Sequence, residues 1–449
     1  EKKMSQNINQ LMNVRRDKRQ FLIDNGVDPY SISNPQKQVR KVSFIEIPTD
    51  IKYVSRGTVR GRIVQIRKMG KSTFAHIQDD SGKAQIYAQR DVLGTDLYAI
   101  FKKIDLGDII EVSGEVFNTQ SGEPTLRVGD VDILSKSLRP LPDKFHGVKD
   151  IELTYRQRYL DLITNQESRN VFVNRSKIVG AIRRTLESLS FMEVETPMLH
   201  PIAGGANAKS FSTHYNALGE DMHLRIAPEL HLKMLLVGGF EKIYEINRNF
   251  RNEGMSTKHN PEFTALEVYQ SYTDYIEMMR LVEYIVSQAS CAVSSEGLPA
   301  FNRISYSDLI KQELDIDYCE ENFKEIHTRY ENEIEPNLIN PTFVTNFPHQ
   351  AMPPLCKRSE DDRFVEVFEF IWNGKEIGCG YSEENNPEVQ RESFEAQEGE
   401  TDEDFLLALE YGMPPAGGLG LGIDRLVMEL LGVQSIKDII LFPQLKRKN

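Results

Sequence analysis

Three segments bring together side chains with chemical potential. In the first, Phe250-Arg251-Asn252-Glu253-Gly254 is followed by Lys258-His259-Asn260-Pro261-Glu262-Phe263, a loop dense in cationic and polar groups between strand-like runs at 242–246 and 263–269. Period-two geometry puts Phe263, Ala265, Glu267 and Tyr269 on one face of the leaving strand, with Leu266 and Val268 on the other. Arg251 and His259 could hold phosphate oxygens, and Phe263 could stack on a purine. A salt-bridged polar hairpin would read the same way.

The second segment covers 365–383. Asn373-Gly374 between β-rich runs predicts a two-residue hairpin. Counting outward pairs Trp372 with Lys375, Ile371 with Glu376 and Phe370 with Ile377. Glu369 and Glu376 then share a face as diagonal neighbours, their Cβ atoms roughly 7 Å apart. Two such carboxylates repel unless they share a cation, and Mg²⁺ bridging to nucleotide phosphates would serve. Gly378-Cys379-Gly380-Tyr381-Ser382 leads to Glu383, which strict alternation places on the opposite face from Glu376. Only a bulge at the glycines would bring both into one cavity.

The third segment is Gly417-Gly418-Leu419-Gly420-Leu421-Gly422-Ile423-Asp424-Arg425-Leu426. Alternate glycines strip one face of a short strand, so a flat ligand such as adenine could lie there. Arg425 sits in the first turn of the helix that follows, a plausible nucleotide seat. Close helix–strand packing would also explain the glycines.

These segments need elements to hold them. A chain of 449 residues is too long for one core. Residues 1–26 read as a helix and 27–50 as a polar linker. Strands are expected at 58–66, 73–79, 84–88, 108–117 and 125–134, with a helix at 97–103. That is the order of an OB barrel. The connector Leu138-Arg139-Pro140-Leu141-Pro142 marks a boundary. Beyond it, helices and antiparallel-looking strands mix without βαβ alternation, so the fold class is α+β rather than doubly wound. The expected domains are 1–50, 51–137 and 138–449. Neither a P-loop nor a strand-linked G-x-G-x-x-G occurs, and no repeat is evident. The acidic stretch 395–404 reads as a solvated loop.

Composition excludes other classes. No run of about 18 apolar residues is present, and the N-terminus lacks a signal-peptide pattern. Four scattered cysteines predict reduced thiols in a cytoplasmic compartment and no structural zinc. Net charge is −13, yet residues 1–136 carry more basic than acidic side chains, making them the less repulsive surface for a phosphate backbone.

Taken together, 251–263 resembles motif 2 of the class II aminoacyl-tRNA synthetases and 418–425 resembles motif 3. Residues 174–197, an amphipathic helix, a strand and Pro197, resemble motif 1. With an OB barrel in front, the chain is similar to the subgroup handling lysine, aspartate and asparagine. The wording of Arg139 through Gly147, Arg156-Gln157-Arg158-Tyr159-Leu160-Asp161-Leu162, Ala227-Pro228-Glu229-Leu230 and His259 through Thr264 resembles the lysyl-tRNA synthetases over nearly the whole chain.

The resemblance implies roles. Gly205, Glu229, Glu267, Tyr269, Cys379, Tyr381, Glu383 and Gly420 match the lysine pocket, with Glu229 on the α-amino group and Glu383 with Tyr269 on the ε-ammonium. Arg251 and Arg425 match the catalytic arginines. Glu253, His259, Phe263, Glu369, Gly422 and Arg425 match ATP contacts, and Glu369 with Glu376 the Mg²⁺ ligands. Arg67, Phe74, Gln85 and Glu123 match anticodon readers. The implied activity joins L-lysine to ATP and then to tRNA(Lys), in a homodimer paired through helix 174–189. Cys379 departs from the family's usual Asn, and 324–332 and 395–404 are short against its connectors. The rival readings are an aspartate or asparagine enzyme of the same fold, a protein-modifying lysine ligase (whose relatives lack an OB domain) and a tRNA-binding paralogue with a decayed site.

Overall fold

The computed structural model describes residues 2–32, 34–46, 55–142, 150–202, 204, 208–396 and 401–447. The chain forms two compact units, Glu1–Val148 and Lys149–Asn449.

The first unit opens with α1 (Lys2–Asp24), which ends at Gly26 in the left-handed region, φ +77°. Then come β1 (Arg56–Met69), β2 (Ser72–Gln78), β3 (Lys83–Gln89), α2 (Arg90–Leu93), α3 (Thr95–Phe101), β4 (Ile109–Asn118) and β5 (Pro124–Ser135). The strands close into a barrel in the order β1-β2-β3-β5-β4, antiparallel except for the β3–β5 pair. Alternate residues such as Ile63, Ile77, Ile86, Val112 and Leu126 are fully buried inside it. The segment ahead of the barrel is part of the same core: Leu22, Val42 and Ile45 are fully buried in it. Arg15 donates to the carbonyls of Ser137 and Arg139 at 3.0 and 2.9 Å.

The second unit begins with α4 (Ile151–Arg156), α5 (Arg158–Thr164) and α6 (Gln166–Ser188). Short strands β6 (Met192–Glu193), β7 (Leu199–His200), β8 (Phe211–Tyr215) and β9 (Glu220–Leu224) lead to α7 (Glu229–Val237), β10 (Lys242–Phe250) and β11 (Glu262–Ser271). Next are α8 (Tyr275–Cys291), β12 (Asn302–Ser305), α9 (Tyr306–Leu314), α10 (Phe323–Arg329) and β13 (Thr342–Thr345). The chain ends with β14 (Val367–Ile371), β15 (Glu376–Ser382), α11 (Pro387–Glu395), α12 (Glu403–Glu410), β16 (Ala416–Gly422), α13 (Ile423–Leu431) and α14 (Ile436–Ile439). Eight strands form one sheet in the order β12-β13-β14-β15-β16-β11-β10-β6. Its centre is antiparallel as expected, but the outer pairs β12–β13 and β6–β10 are parallel, so the sheet is mixed. The 395–404 stretch is less of a loop than its acidity suggests: α11 runs to Glu395 and Asp402 caps α12, while 397–400 lie outside the described residues.

One face of the sheet packs on helices. Ile178, Ile182 and Leu186 form a stripe on α6, joined by Val282, Ile285 and Val286 of α8 and Leu426 and Val427 of α13. They cover Leu266, Val268, Phe368, Phe370, Leu419 and Leu421. The intervening residues of these strands face the other way, and the site is built there.

The β14–β15 hairpin turns where Asn-Gly predicts, with φ +50° at Asn373 and +63° at Gly374. Trp372 and Lys375 exchange backbone hydrogen bonds of 2.9 and 3.1 Å, and Ile371 pairs with Glu376. The next expected pair fails. A bulge places Phe370 opposite Gly378 and Glu369 opposite Cys379, leaving Ile377 as the extra residue. The bulge re-phases β15, so Glu376, Cys379 and Tyr381 share the face of Glu369.

Candidate active site

Register across three strands shapes a groove. Gly418 pairs with Tyr269 on one side and Tyr381 on the other, Gly420 with Glu267 and Cys379, and Gly422 with Ala265. The glycine file is a bare floor between two walls of side chains. At Gly418 the bareness is required, because a Cβ would lie 2.0 Å from Glu383 Oε1 and 2.6 Å from Tyr269 Cε1. Above the floor is a cavity of ≈ 330 Å³.

The strand walls and α7 make one end of this cavity acidic. Tyr381 Oη donates to Glu229 Oε1 at 2.6 Å, and Tyr269 Oη donates to Glu267 Oε2 at 2.9 Å. Glu229 stands in the first turn of α7, where the helix dipole favours a carboxylate. Burial and the nearby Glu229 push the Glu267 carboxyl up to about 8. Glu383 is placed differently from the expectation. It is 1% exposed and does not line the cavity, because its Oε2 lies 2.5 Å from the ammonium of Lys233, itself 2.8 Å from Glu229 Oε1. Gly205 lies outside the described residues.

The other end is cationic. The β10–β11 loop carries Arg251, Glu253 and His259, all lining the cavity with Phe263 at the start of β11. Arg251 stacks its guanidinium over the Phe263 ring at 5.3 Å, and its Nε is buried without a partner. An orphaned, buried cationic donor fits an anionic ligand. His259 takes a supporting part. Arg425 Nη2 lies 3.1 Å from its Nε2 and Ser256 Oγ lies 2.9 Å from its Nδ1. Burial and the Arg425 charge lower its pKa, so the neutral ring accepts from Arg425 and orients it. Arg425 also donates to the Glu376 carbonyl at 2.6 Å. Asp424 anchors this corner by accepting from Thr264 N at 2.8 Å and pairing with Arg175 at 2.8 Å.

Glu369 and Glu376 lie on one face of the β14–β15 hairpin, and Glu376 sits 3.3 Å from Arg425. Burial pushes the Glu369 carboxyl well above the usual range, with Glu376, Glu335 and Glu331 adding repulsion. Among the described residues no Lys or Arg pairs with Glu369, and no set of three or more acidic, His or Cys side chains is arranged to hold a metal. Two carboxylates lacking sufficient counter-charge fit Mg²⁺, which takes one or two protein carboxylates and completes its shell with water and substrate phosphates.

On the barrel, Arg67 pairs with Phe74 across β1 and β2, and Phe74 pairs with Tyr87. The Phe74 and Tyr87 rings are 4.5 Å apart, Tyr87 and Phe117 are 6.2 Å apart, and Arg127 covers Phe117 at 4.6 Å. This half-exposed aromatic row suits base stacking. Gln85 is buried and donates to Thr125 Oγ1 at 2.9 Å, while exposed Glu123 lies 3.4 Å from His76 Nε2. Sequence reasoning missed Tyr87, Phe117 and Lys233. The first two were legible as aromatics within the expected barrel strands, the third as an i,i+4 partner of Glu229.

A barrel of OB type ahead of a mixed sheet whose cavity joins an acidic end to an arginine-lined end defines a class II synthetase. A family profile described as tRNA synthetases class II (D, K and N) matches residues 150–446, and one described as OB-fold nucleic acid binding domain matches 58–134. The chain is 46% identical to a lysine–tRNA ligase of Carboxydothermus hydrogenoformans, covering 99% of each chain. It is 45% identical to that of Listeria monocytogenes and 43% to that of Bacillus subtilis, with 98% of each chain covered in both cases. The chain belongs to the lysine–tRNA ligase family.

Proposed function

We propose that the chain activates L-lysine with ATP and transfers the lysyl group to tRNA(Lys). The observation that carries the reading is the polarity of one cavity: Glu229 and Glu267 stand at one end, each hydrogen-bonded to a tyrosine, and Arg251 with an unpartnered donor stands at the other. Ammonium groups belong at the first end, and carboxylate and phosphate at the second.

In this reading the lysine carboxylate attacks the α-phosphorus in line. The new C–O–P bond forms as the bond to the bridging oxygen breaks, and pyrophosphate departs. Arg251 faces the carboxylate and α-phosphate, Arg425 is held for the nucleotide by His259, and Phe263 stacks on adenine. Glu369 and Glu376 would hold Mg²⁺, which when bound would offset phosphate charge. The chain acts mainly by positioning and electrostatics. A hydroxyl of the terminal adenosine of tRNA then attacks the lysyl carbonyl and AMP leaves. The adenylate's own phosphate takes the proton. The aromatic row of the barrel, with Arg67, Gln85 and Glu123 around it, stacks anticodon bases.

The reading extends to assembly and location. The α6 surface, where Phe172, Val179 and Arg183 border exposed Phe442, suits pairing of two copies. Sedimentation as a fully active monomer would remove that proposal. Four free cysteines, and no described helix long and apolar enough to cross a membrane, accord with the cytoplasm.

ATP–pyrophosphate exchange measured with lysine, aspartate and asparagine in turn tests the substrate. Exchange is expected with lysine alone, and exchange with aspartate alone would reject the reading. The acidic end disfavours an acidic substrate by direct repulsion.

A further inference from the structure

Lys233 has no part in the reaction above, yet it occupies the centre of the acidic end. It is fully buried, one turn after Glu229 on α7, with its Nζ 2.8 Å from Glu229 Oε1 and 2.5 Å from Glu383 Oε2. The rings of Tyr381 and Phe405 lie 5.6 and 6.0 Å from it. A fully buried ammonium is costly unless its charge is matched. Burial opposes its charge, but Glu229 and Glu383 outweigh it and raise its pKa.

The two carboxylates are left half-used. Glu229 Oε1 accepts from Tyr381 Oη and lies 2.8 Å from the Lys233 ammonium as an ion pair, so Oε2 remains. Glu383 Oε1 lies over Gly418 beside the Tyr269 ring, and both Glu383 oxygens are buried without a hydrogen bond of good geometry. The groups facing this centre are Glu229 on α7, Glu267 and Tyr269 on β11, Tyr381 on β15, and Cys356 and Glu383 on an isolated bridge. Ionised together, Glu229, Glu267 and Glu383 would carry three negative charges. Lys233 leaves two, the number of ammonium groups on free lysine.

We propose that Lys233 is a positioning residue for amino-acid recognition, an internal ammonium that clamps Glu229 against the buried Glu383 so that Glu229 turns its remaining oxygen to the substrate, with Glu383 backing the pocket from behind the glycine floor. It also fixes the charge of this end of the cavity to match an amino acid bearing two ammonium groups. The inference rests on the lysine reading of the pocket and adds a determinant to it. Without the clamp, two buried carboxylates face each other, one takes up a proton, and neither is held in place.

The test is lysine-dependent pyrophosphate exchange in wild type, Lys233→Met, Glu383→Gln and the double variant. Lys233→Met is expected to raise the KM for lysine on the order of 100-fold, with kcat changed far less and the KM for ATP unchanged. In the Glu383→Gln background the same change should cost at least ~10-fold less, because its nearer partner is already neutral. The double variant removes both members of the Lys233–Glu383 pair and is read against Glu383→Gln alone, whether or not Lys233→Met folds. A lysine KM within about 2-fold of wild type in Lys233→Met, or a double variant worse than Glu383→Gln by the full ~100-fold, overturns the clamp while lysine activity in wild type stands. Absence of lysine-dependent exchange in wild type would instead overturn the pocket reading, and the clamp with it.

Discussion

Gly418→Ala should damage the catalytic unit far more than the same change two residues on. A Cβ at Gly418 would lie 2.0 Å from Glu383 Oε1 and 2.6 and 2.8 Å from Tyr269 Cε1 and Cδ1. Ordinary contact begins at 3.4 Å, so the oxygen must retreat 3.4 − 2.0 = 1.4 Å. Glu383 is 1% exposed and Tyr269 2% exposed, so neither can swing into solvent. A retreat of that size loosens the 2.5 Å contact with Lys233. Overpacking costs about 1–3 kcal/mol, and a fully broken buried pair about 3–5 kcal/mol. With the pair strained rather than lost, about 3–5 kcal/mol is expected in total, a fall of roughly 10 °C in the unfolding midpoint of this unit. At Gly420 a Cβ meets nothing nearer than Glu267 Oε1 at 3.8 Å. Gly420→Ala should therefore keep stability within about 1 kcal/mol, yet its methyl stands in the cavity and raises the KM for lysine. Thermal unfolding and lysine-dependent exchange on the two variants decide the matter. Equal loss of midpoint in both would refute the account of the glycine floor.

Glu267 supplies a pH test. Its folded pKa, about 8, lies above the ordinary glutamate value of 4.5. A carboxyl raised in this way contributes stability that is complete below 4.5 and lost as pH rises through 8, and Glu267→Gln should flatten that part of the stability profile. In calorimetry at pH 7, lysine binding to wild type should release protons, by up to about one per site through Glu267, and a buffer-independent heat would contradict this. Arg251→Ala leaves the acidic end intact but removes the only group stacked on Phe263 among the described residues. Exchange should fall by at least ~100-fold while the unfolding midpoint holds, and retained exchange would displace Arg251 from its role. Phe74→Ala takes the first ring from the barrel's aromatic row, so the Kd for tRNA should rise about 10- to 100-fold. The thermal unfolding midpoint of the barrel unit serves as its folding control, and an unchanged Kd would return Phe74 to simple barrel packing.

What the residues alone could reveal followed the range of the interactions. The barrel strands were legible because alternation along each strand is local, and the hairpin turn because Asn-Gly demands two left-handed residues in succession. The bulge was legible only as a condition, a break at the glycines if Glu376 and Glu383 were to share a face; its place at Ile377 was not, because register depends on neighbouring strands. A Cβ on Gly378 would sit 2.4 Å from both the Gly420 carbonyl oxygen and Leu421 Cδ2, so β15 has room against β16 only with glycine there. That interstrand fit is absent from any local window, and so is the β14–β15 register shift that re-phases the carboxylates. The same limit explains Lys233. Periodicity places it on a helix with Glu229, where a surface ion pair is the ordinary outcome. Only the packing of α7 against β15 and α12 makes it fully buried and brings Glu383 to it from far along the chain. Counting carboxylates in the sequence thus overstates the charge offered to the substrate. The cation that corrects the count is visible only when the helix beneath the pocket is placed, and a specificity argument from acidic residues alone would assign Glu383 wholly to a ligand that it must share with its own chain.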